Sequence, residues 1–270
     1  MAGALDPLRR FPVKVRIRGR HWKFNLCALM LLPPFLVAGA TRSDAQTKAY
    51  VTHSGANIVT VIDTKTNAVT GTISVGSNPA AVVVNRDGTL AFVTNGGSSS
   101  VSVIDTACDL AAEEPACVVR TIPVGAGPSD LVVSPDGQWL YVMTASGVVE
   151  VVGTDGTSVG PSYNIGGAGA LGISPDGKRV YVAAGQVYVI NTDDQTVHSF
   201  APEKEAFATI SNSASSIAVA SDGTVYVGVV TYHFSGPFGF AAGGNLLVVD
   251  PSSEAIVDAI NLFALPGRSP

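Results

Sequence analysis

Charge is what this sequence has least of: 14% of its residues are charged, against 46% that are hydrophobic. A disordered chain has the reverse composition, so disorder is excluded and a globular chain with a large core is expected. Basic charge is scarcer still over most of the length. Eight of the 16 Lys and Arg residues (Arg9, Arg10, Lys14, Arg16, Arg18, Arg20, Lys23, Arg42) precede residue 46, where only Asp6 and Asp44 oppose them. The rest holds eight basic groups against nineteen acidic ones, a net −11 within an overall −5. An acidic body of this kind excludes nucleic-acid binding through a basic surface.

Cysteine and histidine are also few, at three and four. No Cys-x-x-Cys-His string is present, which excludes covalent haem attachment. His53, His198 and His233 are far apart and lack i, i+4 partners, and there is neither a phosphate loop ending in Gly-Lys-Ser/Thr nor a calcium loop. No metal and no cofactor is expected. Cys27 lies in the N-terminal segment and lacks the small residues of a lipoprotein box. Cys108 and Cys117 remain, and an even pair in an exported chain predicts a disulfide, closing a stapled surface hairpin.

Nor is there a hydrophobic run long enough to span a membrane, which takes roughly 20 residues. The run at residues 26–40 is shorter and carries Pro33-Pro34. It follows a basic stretch ending at Lys23 and precedes small-residue cleavage options at Ala38-Gly39-Ala40 and Ser43-Asp44-Ala45. This order predicts a signal peptide over 1–45, no membrane association after cleavage, and a periplasmic, cell-surface or extracellular location. The alternative is an uncleaved N-terminal anchor. Arg9-Arg10-Phe11 is only a fragment of a twin-arginine signal.

What is present after residue 45 is repetition. An aromatic-Val pair recurs as Tyr50-Val51, Phe92-Val93, Tyr141-Val142, Tyr181-Val182 and Tyr226-Val227, spaced by 42, 49, 40 and 45 residues. A turn precedes each copy after the first: Asn85-Arg86-Asp87-Gly88, Ser134-Pro135-Asp136-Gly137, Ser174-Pro175-Asp176-Gly177 and Ala220-Ser221-Asp222-Gly223. Pro presets φ, Asp closes the backbone locally, and Gly accepts the positive φ that ends a tight turn. A second apolar strand follows each pair, as in Val59–Asp63 and Val101–Asp105, and a fourth ends at Gly76 or Gly125. No helix-length periodic segment intervenes, so the pattern predicts an antiparallel meander. Four strands per period of 40 to 50 residues predict an all-β β-propeller of four-stranded blades over 46–270, with a flat solenoid or sandwich as the alternative.

Ala49-Tyr50-Val51-Thr52, Phe92-Val93-Thr94-Asn95, Val61-Ile62-Asp63-Thr64 and Val103-Ile104-Asp105-Thr106 together resemble the Tyr-Val-Thr-Asn β-propeller repeat family of bacterial and archaeal exported proteins. The resemblance implies a propeller outside the cytoplasm and no single activity. Similar propellers serve as surface or binding proteins, as lactonase-like hydrolases and as parts of periplasmic redox enzymes. Later copies depart from the pattern, with Ala183-Ala184 and Gly228-Val229 in place of Thr-Asn.

The first copy opens on its second strand, and the last residues, Gly267-Arg268-Ser269-Pro270, match the segment that precedes an innermost strand. About five blades of nineteen strands are therefore expected, as an incomplete or truncated propeller whose open blade edge self-associates. The rival is a five-bladed ring closed by residues 41–48.

Two catalytic-looking strings fail on context. Gly156-Thr157-Ser158-Val159-Gly160 has no helix after it, as a nucleophile elbow requires. Gly167-Ala168-Gly169-Ala170-Leu171-Gly172 runs into Ile173-Ser174-Pro175 where a dinucleotide fingerprint needs a helix. The recurring Asp after Ile62 and Ile104 reads as a turn cap. Binding is expected where the repeat is broken, in the insertion 231–245 with Tyr232, His233, Phe234, Phe238 and Phe240, beside Glu203 in the segment 202–213. His53 and Asn95 complete the candidate ligand-binding set. The leading expectation is a binding module, with an unknown protein, small molecule or carbohydrate as its partner. A lactonase-like hydrolase or a redox-enzyme subunit is the alternative, with His53, His233 and Glu203 as its acid-base groups.

Overall fold

The computed structural model describes residues 48–110, 117–200, 209–234, 240–253 and 255–261. The described residues form nineteen strands and no helix, in five consecutive antiparallel meanders. The first sheet holds β1 (Lys48–His53), β2 (Ile58–Asp63) and β3 (Ala68–Ser74). The second holds β4 (Pro79–Val84), β5 (Leu90–Asn95), β6 (Ser100–Asp105) and β7 (Val118–Pro123). The third holds β8 (Asp130–Val133), β9 (Trp139–Met143), β10 (Val148–Gly153) and β11 (Val159–Asn164). The fourth holds β12 (Ala170–Ile173), β13 (Arg179–Ala184), β14 (Gln186–Asn191) and β15 (Val197–Phe200). The fifth holds β16 (Thr209–Val219), β17 (Val225–Phe234), β18 (Phe240–Val249) and β19 (Ile256–Asn261). Neighbouring sheets meet through their innermost strands, β4 against β8, β8 against β12 and β12 against β16. These are the blades of a β-propeller. β1 carries Tyr50-Val51 and matches the second strands β5, β9, β13 and β17, so the first sheet has no innermost strand among the described residues.

The aromatic-Val pair has a packing explanation. Successive side chains of a strand point to opposite faces, and an inner blade is covered on both. Val93 packs with Val59, Val61 and Ile73 of the first sheet, while Phe92 packs with Leu131, Leu140 and Val142 of the third. Likewise Val182 joins the cluster with the third sheet and Tyr181 the one with the fifth. Burying one such side chain stabilises by about 1.5–3 kcal/mol. At the first sheet no described residue packs on the outward partner, and Val51 is 41% exposed.

Turn chemistry behaves as read. Asp136 Oδ1 accepts the Gln138 N–H at 3.0 Å and the Ser134 hydroxyl, and Asp176 repeats both contacts with Lys178 and Ser174. Asp63 Oδ1 accepts the N–H groups of Lys65 and Thr66 at 2.7 and 3.0 Å. These Asp residues close turns.

Two expectations change in shape. Residues 231–245 do not form a loop throughout: β17 and β18 run on as a long hairpin, paired as far as Phe234 and Phe240. The segment 202–213 likewise contributes Thr209 onward to β16, which pairs Ser211 with Tyr232. Strand pairing continued because Thr, Tyr, His and Phe suit a pleated ladder, and the expected boundary rested only on the repeat ending. The Cys108–Cys117 disulfide forms, with its Cα atoms 5.3 Å apart. It is more than a surface staple, since Cys117 is fully buried against the first sheet and Leu110 lies over Gly71.

Candidate functional site

A meander sends the turns after first and third strands to one face and those after second and fourth strands to the other. On the first of these faces, grooves open between blades. The groove between the third and fourth sheets consists of two adjoining cavities, of about 500 and 210 Å³, which share Trp139, Tyr141 and Thr192. The larger adds Arg86, Asp136 and Asp176, and the smaller adds Val151, Gly160, Pro161, Tyr163 and Gln195. A further cavity of about 390 Å³ lies between the fourth and fifth sheets, where Arg179 reaches across to donate to the carbonyl of Pro251.

The smaller cavity is built by strand register. Trp139 and Tyr141 are two apart on β9 and share a face; Tyr141 pairs with Val151, and Val149 pairs with Tyr163 on β11. Register shifts between Glu150 and Val152, a bulge that brings Val151 against Gly160. A Cβ on Gly160 would sit 2.8 Å from Val151 Cγ1, so glycine keeps the cavity floor low. The opposite wall is the turn 191–196 of the fourth sheet. Thr192 Oγ1 donates to Gly177 O at 2.9 Å, and Gln195 is held at φ +61°. Among the described residues the other non-glycine residues with positive φ are three Asn, which adopt that conformation more readily than Gln, and Ser99. Backbone strain of this kind gathers at ligand sites.

Burial dominates the electrostatics. Tyr141 and Tyr163 are each 7% exposed. Desolvation pushes the Tyr141 phenol up to about 12, helped by Tyr163 and Asp136, and pushes Tyr163 up as well, helped by Asp194. Both stay neutral across the physiological range. Neither phenol hydrogen-bonds to any described residue, and neither oxygen is fully buried, so both hydroxyls reach solvent. The Oδ1 atoms of Asp136 and Asp176 serve their turns, and both residues line the larger cavity.

The residues singled out in the sequence lie elsewhere. His53 ends β1, exposed, with Nε2 2.9 Å from Thr60 Oγ1. Asn95 ends β5, fully buried; its Nδ2 donates to Ser100 and Ser102 at 3.2 and 3.0 Å, and its Oδ1 has no partner among the described residues. Tyr232, His233 and Phe234 lie on β17 and Phe240 on β18. Phe238 and Glu203 fall outside the described residues. The topology sets His53, Asn95 and the β17 residues in the first, second and fifth sheets, at the same ends of their second strands, and no described cavity gathers them. Ser158, in the elbow-like string, donates to Asp155 Oδ2 at 2.8 Å inside a turn.

Sequence reasoning passed over Trp139 and Tyr163, yet a signal was there. Trp139 stands where the neighbouring copies have Leu90 and Arg179, and Tyr163 stands where they have Ile73 and Ile122. Two positions that are not aromatic in the neighbouring copies are aromatic in the third blade, on one face.

No protein-family model matches the chain, and no curated protein matches it. Among solved structures, Kuenenia stuttgartiensis hydrazine synthase is similar, with a TM-score of 0.61 and 21% identity over 80% of this chain and 62% of that one. The chain thus spans less than two thirds of that protein, and the likeness is one of fold. A functionally unknown protein from Desulfotomaculum acetoxidans DSM 771 is a looser likeness, with a TM-score of 0.47 and 16% identity over 77% of this chain and 83% of that one.

Proposed function

We propose that this chain is an exported propeller of the Tyr-Val-Thr-Asn type that acts as a binding module, taking its ligand in the groove between the third and fourth blades. One observation carries the reading: the half-buried Trp139 is common to two adjoining cavities, and its strand-mate Tyr141, a largely buried side chain, lines both with it. Concave sites lined by aromatic rings with a few convergent polar groups are where small ligands bind. The reading moves the binding surface to the face opposite the one that carries the long β17–β18 hairpin. Export is supported by the basic leader with its short apolar run, and by the Cys108–Cys117 disulfide, a bond that persists in oxidising compartments.

The test uses the chain's two tryptophans, Trp22 and Trp139. In a full-length Trp22→Phe protein, Trp139 is the sole tryptophan and reports on the groove. A panel of small aromatic, sugar and ammonium compounds is expected to contain at least one that shifts Trp139 emission saturably. Silence across the whole panel contradicts the reading. Fractionation of expressing cells tests export, with a mature mass beginning after residue 40 or 45 as the expected result.

A further inference from the structure

We propose, resting on that groove reading, that the cavity between Tyr141 and Tyr163 takes a neutral polyhydroxylated ring, a single sugar residue, stacked on the Trp139 indole and hydrogen-bonded to both phenols.

The chemistry follows from what the cavity leaves unmet. Two phenol groups, each on a side chain more than nine-tenths buried, line a space of about 210 Å³ and make no hydrogen bond to a described residue. Each can donate and accept, and a ligand hydroxyl, which does the same, can pair with either in both senses. Their protons stay on, because burial raises both above the ordinary tyrosine value. Pro161, Val151 and the half-buried Trp139 supply apolar surface, and the apolar C–H face of a pyranose packs on an indole ring. The space is ring-sized, and Gly160 keeps it open.

Competing ligand classes fit less well. A quaternary ammonium ion is held by aromatic faces and has no hydrogen-bonding group, so both phenols would remain unbonded. An anion meets Asp136 and Asp176 in the adjoining cavity and Asp194 near Tyr163, with Arg86 as the opposing cation in the lining. A sugar hydroxyl, in contrast, can donate to the carboxylate of Asp136 or Asp176, which line the larger cavity. The larger cavity beyond Trp139 therefore provides for a second sugar unit, and a disaccharide spans the groove.

The experiment titrates the full-length Trp22→Phe protein with glucose, galactose, N-acetylglucosamine, cellobiose, maltose and chitobiose, reading Trp139 emission, with choline and indole as counter-ligands. At least one saccharide is expected to give a saturable shift, with its disaccharide binding more tightly. Adding Tyr141→Phe and Tyr163→Phe is expected to weaken that binding by at least about ten-fold. The thermal midpoint should stay level or rise, since the hydroxyls removed have no protein partner. No saccharide response up to about 100 mM overturns the proposal, as does saccharide binding untouched by the double phenylalanine variant. Saturation by choline in place of sugars also overturns it. Indole binding without any saccharide response sinks the sugar assignment and leaves the groove as the ligand site.

Discussion

Asp130 and Leu171 join the third and fourth blades: the Leu171 N–H donates to Asp130 Oδ2 at 2.7 Å, while Oδ1 accepts the Leu131 N–H at 2.9 Å. Leu171 lies on β12, which among the described strands pairs with β13 alone, so its other edge has no ladder there. The carboxylate of the preceding blade supplies an acceptor there. Burial raises the Asp130 pKa even though both backbone bonds lower it, so desolvation outweighs them.

Asp130→Ala removes the acceptor and strands a partly buried N–H. We expect a loss of about 1.5–3 kcal/mol, the range for hydrogen bonds to charged groups. Asp130→Asn, which keeps one acceptor oxygen, is expected to lose less. Urea denaturation of both variants measures the difference.

Acid acts on the turns. Asp63, Asp87, Asp136, Asp155, Asp176, Asp194, Asp222 and Asp250 all lie below the ordinary value of 3.8, held there by backbone N–H and hydroxyl donors. The unfolded chain therefore binds these protons more tightly than the folded one. Their stabilisation is complete above about pH 5 and is lost as pH falls through the depressed folded values. Asp130 has the opposite sign, its penalty being relieved on protonation. The thermal midpoint is expected to fall below pH 4, and more gently in an Asp136→Asn, Asp176→Asn variant, whose amide oxygens still close the turns.

The disulfide ties a turn of the second blade to the first, through buried Cys117 and through Leu110 over Gly71. Replacing Cys108 and Cys117 with Ala should cost about 2–3 kcal/mol by releasing the short loop. Equilibrium unfolding with and without reductant checks this, and the double variant should be indifferent to reductant.

Within the glycine-rich run at 166–169, Gly169 answers to close packing and Gly166 to a positive φ of +81°. A Cβ on Gly169 would lie 2.2 Å from the backbone oxygen of Ala183, which cannot step aside, whereas one on Gly167 meets nothing within 4 Å. Gly169→Ala is expected to destabilise by about 1–3 kcal/mol, the cost of overpacking. Gly167→Ala should be near neutral, and thermal melts separate the two.

Much of the fold was legible in the residues themselves. Tyr181-Val182 and its counterparts disclose a strand covered on both faces, because both members of each pair are large and apolar, and Ser134-Pro135-Asp136-Gly137 discloses the turn before it. The extent of β17 was hidden, since Thr231 to Phe234 lie past the end of the repeat and strand pairing has no sequence punctuation there. The groove was harder to see. Trp139, Tyr163 and Gln195 come from a second strand, a fourth strand and the turn of another blade, and only the register across β9, β10 and β11 brings the first two to one face. Aligning the copies position by position would have exposed Trp139 and Tyr163 as departures. The bulge at Val151 and the left-handed Gln195 have no such signal.

The most direct test is a crystal structure of the protein grown with the saccharide that shifts Trp139 emission most. The account predicts a sugar ring lying on the Trp139 indole, with hydroxyls within hydrogen-bonding distance of the phenol oxygens of Tyr141 and Tyr163. A sugar bound at any other place, with the space between those two tyrosines closed by their own side chains, would contradict it.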